Sequence, residues 1–223
     1  MTAMQIFSIL QLMAILSGTI FCLIATRKSK TNEYKYLVPY CILNVFAMLI
    51  LGAVEFMTVP IPLIFATMYF FACCEVFFLP NYIASIIGVK KNVYTQITIC
   101  IVAFILSRII TQNATSVLYL VANLYITLYV CRYFLWLFKN NENLILSETP
   151  HYWIIMGICV CYTGSIPYFI SEIIIFKFKG FQLYNQIASM IFIMYIVLNI
   201  CMFVLFIKAF LCMIKHQKSL SGL

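Results

Sequence analysis

Glu75 stands in the middle of a long apolar stretch, Phe71-Ala72-Cys73-Cys74-Glu75-Val76-Phe77-Phe78-Leu79-Pro80-Asn81-Tyr82. An ionisable side chain at membrane depth costs about 3 kcal/mol on insertion scales, so its default reading is ligand contact or proton relay. The competing reading is a protonated carboxyl that donates one hydrogen bond to a neighbouring helix. Pro80 lacks an N–H and clashes with the carbonyl one turn earlier, so it should kink this helix and free the carbonyl of Val76. A kink beside a buried acid, with Asn81 next to it, makes a candidate pocket wall. Glu55, Arg108 and Glu172 fall near the ends of three other apolar runs, at similar depth and on the same side. They either pair at an extracellular mouth or snorkel separately to water. Asn44, Asn123 and Asn199 each lie inside an apolar run and can hydrogen-bond between helices for about 1 kcal/mol apiece. Asn199 is also a ligand-contact candidate.

Enzyme chemistry is not in view. All six acidic residues are Glu, at 33, 55, 75, 142, 148 and 172, and Asp is absent. The ten cysteines lie within or at the ends of apolar runs, with no Cys-x-x-Cys or Cys/His ligand spacing, and read as small packing residues. His151 and His216 lie at helix ends, so no metal site is expected. Nucleophilic triads, Walker loops and dinucleotide fingerprints are absent, which predicts a non-enzymatic protein without a cofactor. Lys208 is too near the end of the last run for a retinal Schiff base.

The elements that position these residues follow from composition. The 223 residues are 65% hydrophobic and 9% charged, with a mean hydropathy of +1.06; soluble domains carry about 25% charged and about 45–50% apolar residues. A span needs roughly 20 apolar residues. The runs at about 4–26, 37–57, 61–89, 94–111, 116–138, 152–176 and 183–214 predict an all-α polytopic protein, one seven-helix transmembrane domain over 1–223. The first run has no cleavage signature and its basic cluster follows it, so it reads as a retained helix. The net charge of +8 sits in the gaps between runs, where it sets topology and does not call for nucleic acid. One set of gaps holds 11 Lys and Arg and the other holds 3, namely Arg108, Lys177 and Lys179. This bias puts the N-terminus outside and the C-terminus in the cytoplasm. In the sixth run Gly157, Cys161 and Gly164 fall on one helix face, a small-residue surface for close packing against another helix of the chain. Ser165 and Pro167 follow and should bend it.

Two resemblances add to this. Pro150-His151-Tyr152-Trp153-Ile154, Gly157 and Tyr162-Thr163-Gly164-Ser165, with the Glu75 segment and the 196–210 stretch around Asn199, resemble small seven-helix proteins of Bacteroidota. His151-Tyr152 stands where that signature has Asp-Phe, and Met202 or Phe203 where it has a second Asn. The resemblance implies a bacterial inner-membrane protein, encoded near sensor kinases or transcription regulators, and no particular activity. Lys28 to Tyr34 followed by Val38-Pro39-Tyr40 and Asn44 resembles the first cytoplasmic loop and second helix of SWEET sugar facilitators. That would make runs one to three and five to seven parallel repeats about the fourth, although the first and fifth lack the gating prolines.

The leading expectation is a seven-helix sensory or signal-relay protein. It would perceive a ligand or membrane state around Glu75, Pro80 and the Glu55/Arg108/Glu172 level and pass it to a cytoplasmic or membrane partner protein at the basic loops. A small-solute facilitator and a structural subunit of a membrane complex are the alternatives.

Overall fold

Apolar runs in lipid have no water to satisfy their backbone, so every N–H and C=O must be paired within the segment, and helices result. The structure, a computed structural model, describes the backbone over 3–28, 32–56, 61–110, 115–140, 149–176 and 183–221, and side chains over 5–27, 34–50, 64–109, 115–140, 149–174 and 189–215. Among the described residues it is all helical. The elements are α1 (Ala3–Lys28), α2 (Leu37–Phe56), α3 (Ile61–Ile87), α4 (Val93–Ile110), α5 (Thr115–Asn140), α6 (Pro150–Ile158), α7 (Ile166–Phe176) and α8 (Leu183–Ser221). A 3-10 turn, Asn32–Lys35, precedes α2, and a π-helical turn, Cys159–Thr163, joins α6 to α7 into one rod.

Local chemistry sets several boundaries. Pro150 opens α6, where a missing N–H costs nothing. Gly88 ends α3 with φ of 69°, a left-handed conformation that favours glycine. The Val89 N–H then turns back to the Ala84 carbonyl at 3.1 Å. Asn92 caps α4 by accepting the Thr95 N–H at 3.1 Å. Pro80 lies inside α3, which continues through it to Ile87.

Five helices are long and apolar enough to cross a membrane, counted over the described residues: Gln5–Arg27, Ile64–Ile87, Thr115–Asn140, Pro150–Ile174 and Ser189–Lys215. Leu37–Ile50 and Val93–Ile109 are shorter apolar helices. Apart from α4, which lies outside against α5 and α3, the rods pack in a ring in chain order. α1 touches α2 and α8, α3 touches α2, α4 and α5, α4 touches α5, and the α6–α7 rod touches α5 and α8. α4 is peripheral, and Ile97, Ile101, Val102, Phe104, Ile105 and Ile109 on it are exposed. Phe138 is 78% and Leu135 70% exposed on α5. Apolar area left open to water would cost about 25 cal/mol per Å². A lipid surround removes that cost, and the chain has the build of an integral membrane protein.

Consecutive rods alternate in direction, so one end of the bundle carries the starts of α1, α3, α5 and α8. This is the N-terminal end. The other, basic end carries Arg27, Lys35, Lys90, Lys91, Arg132 and Lys139, with Lys208 and Lys215 on α8. The tightest core lies toward the basic end, where Tyr40, Tyr82, Tyr133, Phe203, Phe206 and Phe210 are fully buried. Tyr40 meets Phe206 edge-on at 6.4 Å, and Phe206 meets Phe203 at 5.5 Å.

Candidate functional site

The N-terminal half of the bundle is hollow. A cavity of about 590 Å³ is lined from α1 by Gln5, Ser8, Gln11 and Ile15, and from α2 by Asn44 and Met48. Across it, α3 supplies Met68 and Glu75, α5 Thr115 and Tyr119, α7 Tyr168, Phe169 and Glu172, and α8 Phe192, Tyr195 and Asn199. Gln5 and Ile15 are ten positions apart, which at 1.5 Å per residue gives the cavity a depth of about 15 Å. Every lining residue lies in the half of its rod toward the N-terminal end of the bundle, or near the middle of the rod.

Glu75 sits at the deep end and keeps accessible surface because it faces this space. Its carboxyl lies beside the Tyr162 hydroxyl, close enough for the two groups to interact. Tyr162 in turn bonds the Tyr40 hydroxyl at 3.0 Å, and Tyr40 reaches the Met202 sulfur at 3.7 Å. This chain of polar atoms forms the floor, with the Phe203–Phe206 cluster beneath it.

Tyr162 reaches the floor because it lies in the π turn. One extra residue in a turn rotates the residues beyond it by about 100° around the axis, a full step of a 3.6-residue helix. The Ser165 hydroxyl bonds the Cys161 carbonyl and is itself bonded by Asn123 Nδ2 at 3.0 Å. Pro167 has no N–H to give the turn before it. Glycine lets α8 come close. A Cβ at Gly157 would lie 3.0 Å from the Met202 carbonyl oxygen and 3.2 Å from the Phe206 ring, and one at Gly164 3.0 Å from Leu198 Cδ2. Cys161, between them on the same face, is buried.

Rings form one wall of the cavity. Tyr119 stacks on Phe169 at 5.4 Å, Phe169 meets Tyr168 at 4.7 Å and Tyr195 at 5.7 Å, and Tyr168 stacks on Tyr195 at 5.0 Å. The Tyr119 hydroxyl donates to the Met68 carbonyl at 3.3 Å. Glu172, near the N-terminal end, accepts from the Ser116 hydroxyl at 2.8 Å and has the Tyr168 hydroxyl beside it. Asn44 and Asn199 donate to the carbonyls of Tyr40 and Tyr195, each one turn back, at 2.9 and 3.0 Å.

The structure thus gathers Glu75, Glu172 and Asn199 around one cavity and places Pro80, Asn81 and Arg108 outside its lining. Asn81 is 2% exposed and turned to α4, where Nδ2 donates to Gln96 Oε1 at 3.3 Å while its Oδ1 has no partner among the described residues. Pro80 is buried but is not in the cavity wall. Arg108 is exposed on α4 with its guanidinium 5.4 Å from the Phe104 ring, and among the described residues it makes no ion pair with Glu172. Glu55 lies in α2 with its side chain outside the described ones. Among the described residues no three of His, Cys, Asp and Glu gather closely enough to hold a metal ion.

Three features of the site do not stand out in the sequence. Gln5, Ser8 and Gln11, at i, i+3 and i+6 of an otherwise apolar helix, put polar groups on the cavity face. Tyr40, Tyr119, Tyr162 and Tyr195 stand inside spans, where each hydroxyl needs a partner. The third feature closes the basic end. The Tyr82 hydroxyl and His151 Nδ1 are 2.9 Å apart, Tyr34 stacks on His151 at 5.1 Å, Lys91 donates to the Tyr36 hydroxyl at 2.8 Å, and Lys208 Nζ lies 3.3 Å from the centre of the Trp153 ring.

No known family model, curated protein or solved structure matches the chain.

Proposed function

We propose that this is a seven-crossing, non-enzymatic membrane protein, N-terminus outside and C-terminus in the cytoplasm, that senses a small molecule entering the Glu75 cavity and relays its presence to a protein partner at the basic end. The resemblance to small Bacteroidota membrane proteins supports a bacterial inner membrane as its location. The observation that carries the relay reading is the one-sided cavity: it is open space from Gln5 to Glu75 and closed core from Tyr40 to Phe210. A ligand on the floor touches the Glu75–Tyr162–Tyr40 chain, and Tyr162 is seated in a π turn, a helical irregularity frequent at functional sites. Through the same rod, Tyr162 is continuous with His151, which the Tyr34 and Tyr82 contacts hold against the 3-10 turn and α3.

A test that needs no known ligand is hydrogen exchange of the purified protein in lipid nanodiscs. Tyr162→Phe is expected to speed exchange at 32–36 and 149–153, about three helical turns away. Exchange confined to the neighbourhood of residue 162 would contradict a relay.

The one-sided cavity also favours a second reading, a facilitator caught open to one side. Proteoliposomes that move labelled glucose or another small solute faster than empty liposomes would establish that reading in place of the relay.

A further inference from the structure

The chemical class of the cavity's ligand can be read from its lining. Among the described residues that line it there are two carboxylates, Glu75 and Glu172, and no Lys, Arg or His. The volume, about 590 Å³, falls in the range of roughly 300–1,000 Å³ usual for small-molecule sites. A carboxylate withdrawn from water requires a proton or a positive partner, and the described surroundings of Glu75 supply hydroxyls and no cation. Between the two acids runs the connected wall of Tyr119, Phe169, Tyr168 and Tyr195. Electron-rich rings attract ammonium groups within about 6 Å of their centroids, by about 2 kcal/mol or more where water is excluded. The opposite wall, with Gln5, Ser8, Gln11 and Asn44, carries neutral donors and acceptors that can orient a polar substituent without opposing its charge.

We propose that the cavity selects small organic cations, drawing an ammonium group past Glu172 and holding it at Glu75 against the ring wall. This rests on the reading of the cavity as a ligand site and adds the sign of the ligand's charge. Anions are repelled twice within the same cavity, by Glu172 and by Glu75. A field of one sign focused in a low-dielectric cleft raises the local concentration of the oppositely charged solute and its rate of entry. The fit of proton and cation to one carboxylate makes them competitors at Glu75.

The experiment uses charge-matched thiol reagents. Ser8→Cys introduces a thiol on the α1 wall with little change of volume. Its modification in the full chain, purified in detergent, is followed by mass spectrometry of the residue-8 peptide. The cationic reagent is 2-(trimethylammonio)ethyl methanethiosulfonate and the anionic one 2-sulfonatoethyl methanethiosulfonate, each rate divided by that with free 2-mercaptoethanol. A cation-to-anion ratio of at least about tenfold is expected, corresponding to about 1.4 kcal/mol of charge discrimination. Glu75→Gln and, separately, Glu172→Gln should each reduce the ratio severalfold; both are near-isosteric, and the second keeps the test alive if the first does not fold. A ratio near one overturns the cation assignment while leaving the cavity as a site. A high ratio unmoved by either substitution removes the two glutamates as its cause and overturns the assignment equally. Failure of both reagents to reach residue 8 shows that no solute enters, which overturns the ligand-site reading itself.

Discussion

Removing the Tyr162 hydroxyl should cost more than removing the Tyr40 hydroxyl, although the two share one hydrogen bond. In Tyr40→Phe the 3.0 Å bond is lost, but Tyr162 still has the neighbouring Glu75 carboxyl to turn to. A net hydrogen bond contributes about 1 kcal/mol in soluble proteins and about 0.6 kcal/mol on average between membrane helices, so a loss of about 0.5–1 kcal/mol is expected. In Tyr162→Phe the bond to Tyr40 and the polar neighbour of Glu75 go together. Tyr40, with no exposed surface, is left with only the Met202 sulfur at 3.7 Å, a weak acceptor. Glu75 loses its tyrosine. A stranded buried polar group costs about 1–3 kcal/mol, so the expected total is about 2–3 kcal/mol. The double substitution should be no worse than Tyr162→Phe alone, because it also removes the stranded Tyr40 hydroxyl. The coupling between the two sites is then at least as large as the Tyr40→Phe effect. Unfolding of the four proteins in mixed micelles with increasing dodecyl sulfate, followed by circular dichroism, measures all three differences. Equal costs that add in the double variant would refute the hydrogen-bonded chain at the cavity floor.

Gly157→Ala should destabilise by about 1–2 kcal/mol, in the range for overpacking, because its Cβ would meet a backbone carbonyl at 3.0 Å and a buried ring at 3.2 Å. Gly164→Ala meets only the end of the Leu198 side chain, so the same titration should find it the milder of the two, and the reverse order would place the α6–α8 approach elsewhere. A Cβ added at Gly88 would meet nothing within 4 Å, but the residue has φ of +69°, so Gly88→Ala should cost about 1 kcal/mol through backbone conformation alone. Gly88→Asn should cost less, since Asn tolerates the left-handed region; equal losses would point to a different turn.

Helices and their apolar faces were legible because lipid leaves the backbone no other choice, and Glu75 was conspicuous because charge is rare in such runs. What decides the cavity is rotation, which composition does not show. Asn81 is six residues beyond Glu75, and six steps of 100° leave it about 120° round the helix from the acid; it faces α4 and Gln96. Pro80 is likewise turned away, by about 140°. Arg108 belongs to the helix at the edge of the bundle, a placement that only the packing of α3 on α5 reveals. Gln5, Ser8 and Gln11 carried a readable signal, polar residues three apart within an apolar helix, but at the start of a span they look like interfacial residues. Tyr162 was the least accessible to sequence reasoning. Ser165 and Pro167 announce a bend in this rod, whereas the inserted residue of the π turn is what carries Tyr162 to Glu75.

A hollow reached from a single face of the membrane is the central claim. Ser8→Cys and Lys91→Cys, in separate otherwise native chains, would be exposed to a membrane-impermeant maleimide–biotin in intact cells and again after the cells are opened, with labelling read at the peptide that carries the substitution. Labelling of residue 8 in intact cells, and of residue 91 only once they are opened, is the predicted pattern. Residue 91 labelled from outside, or both positions labelled from one face, would contradict it.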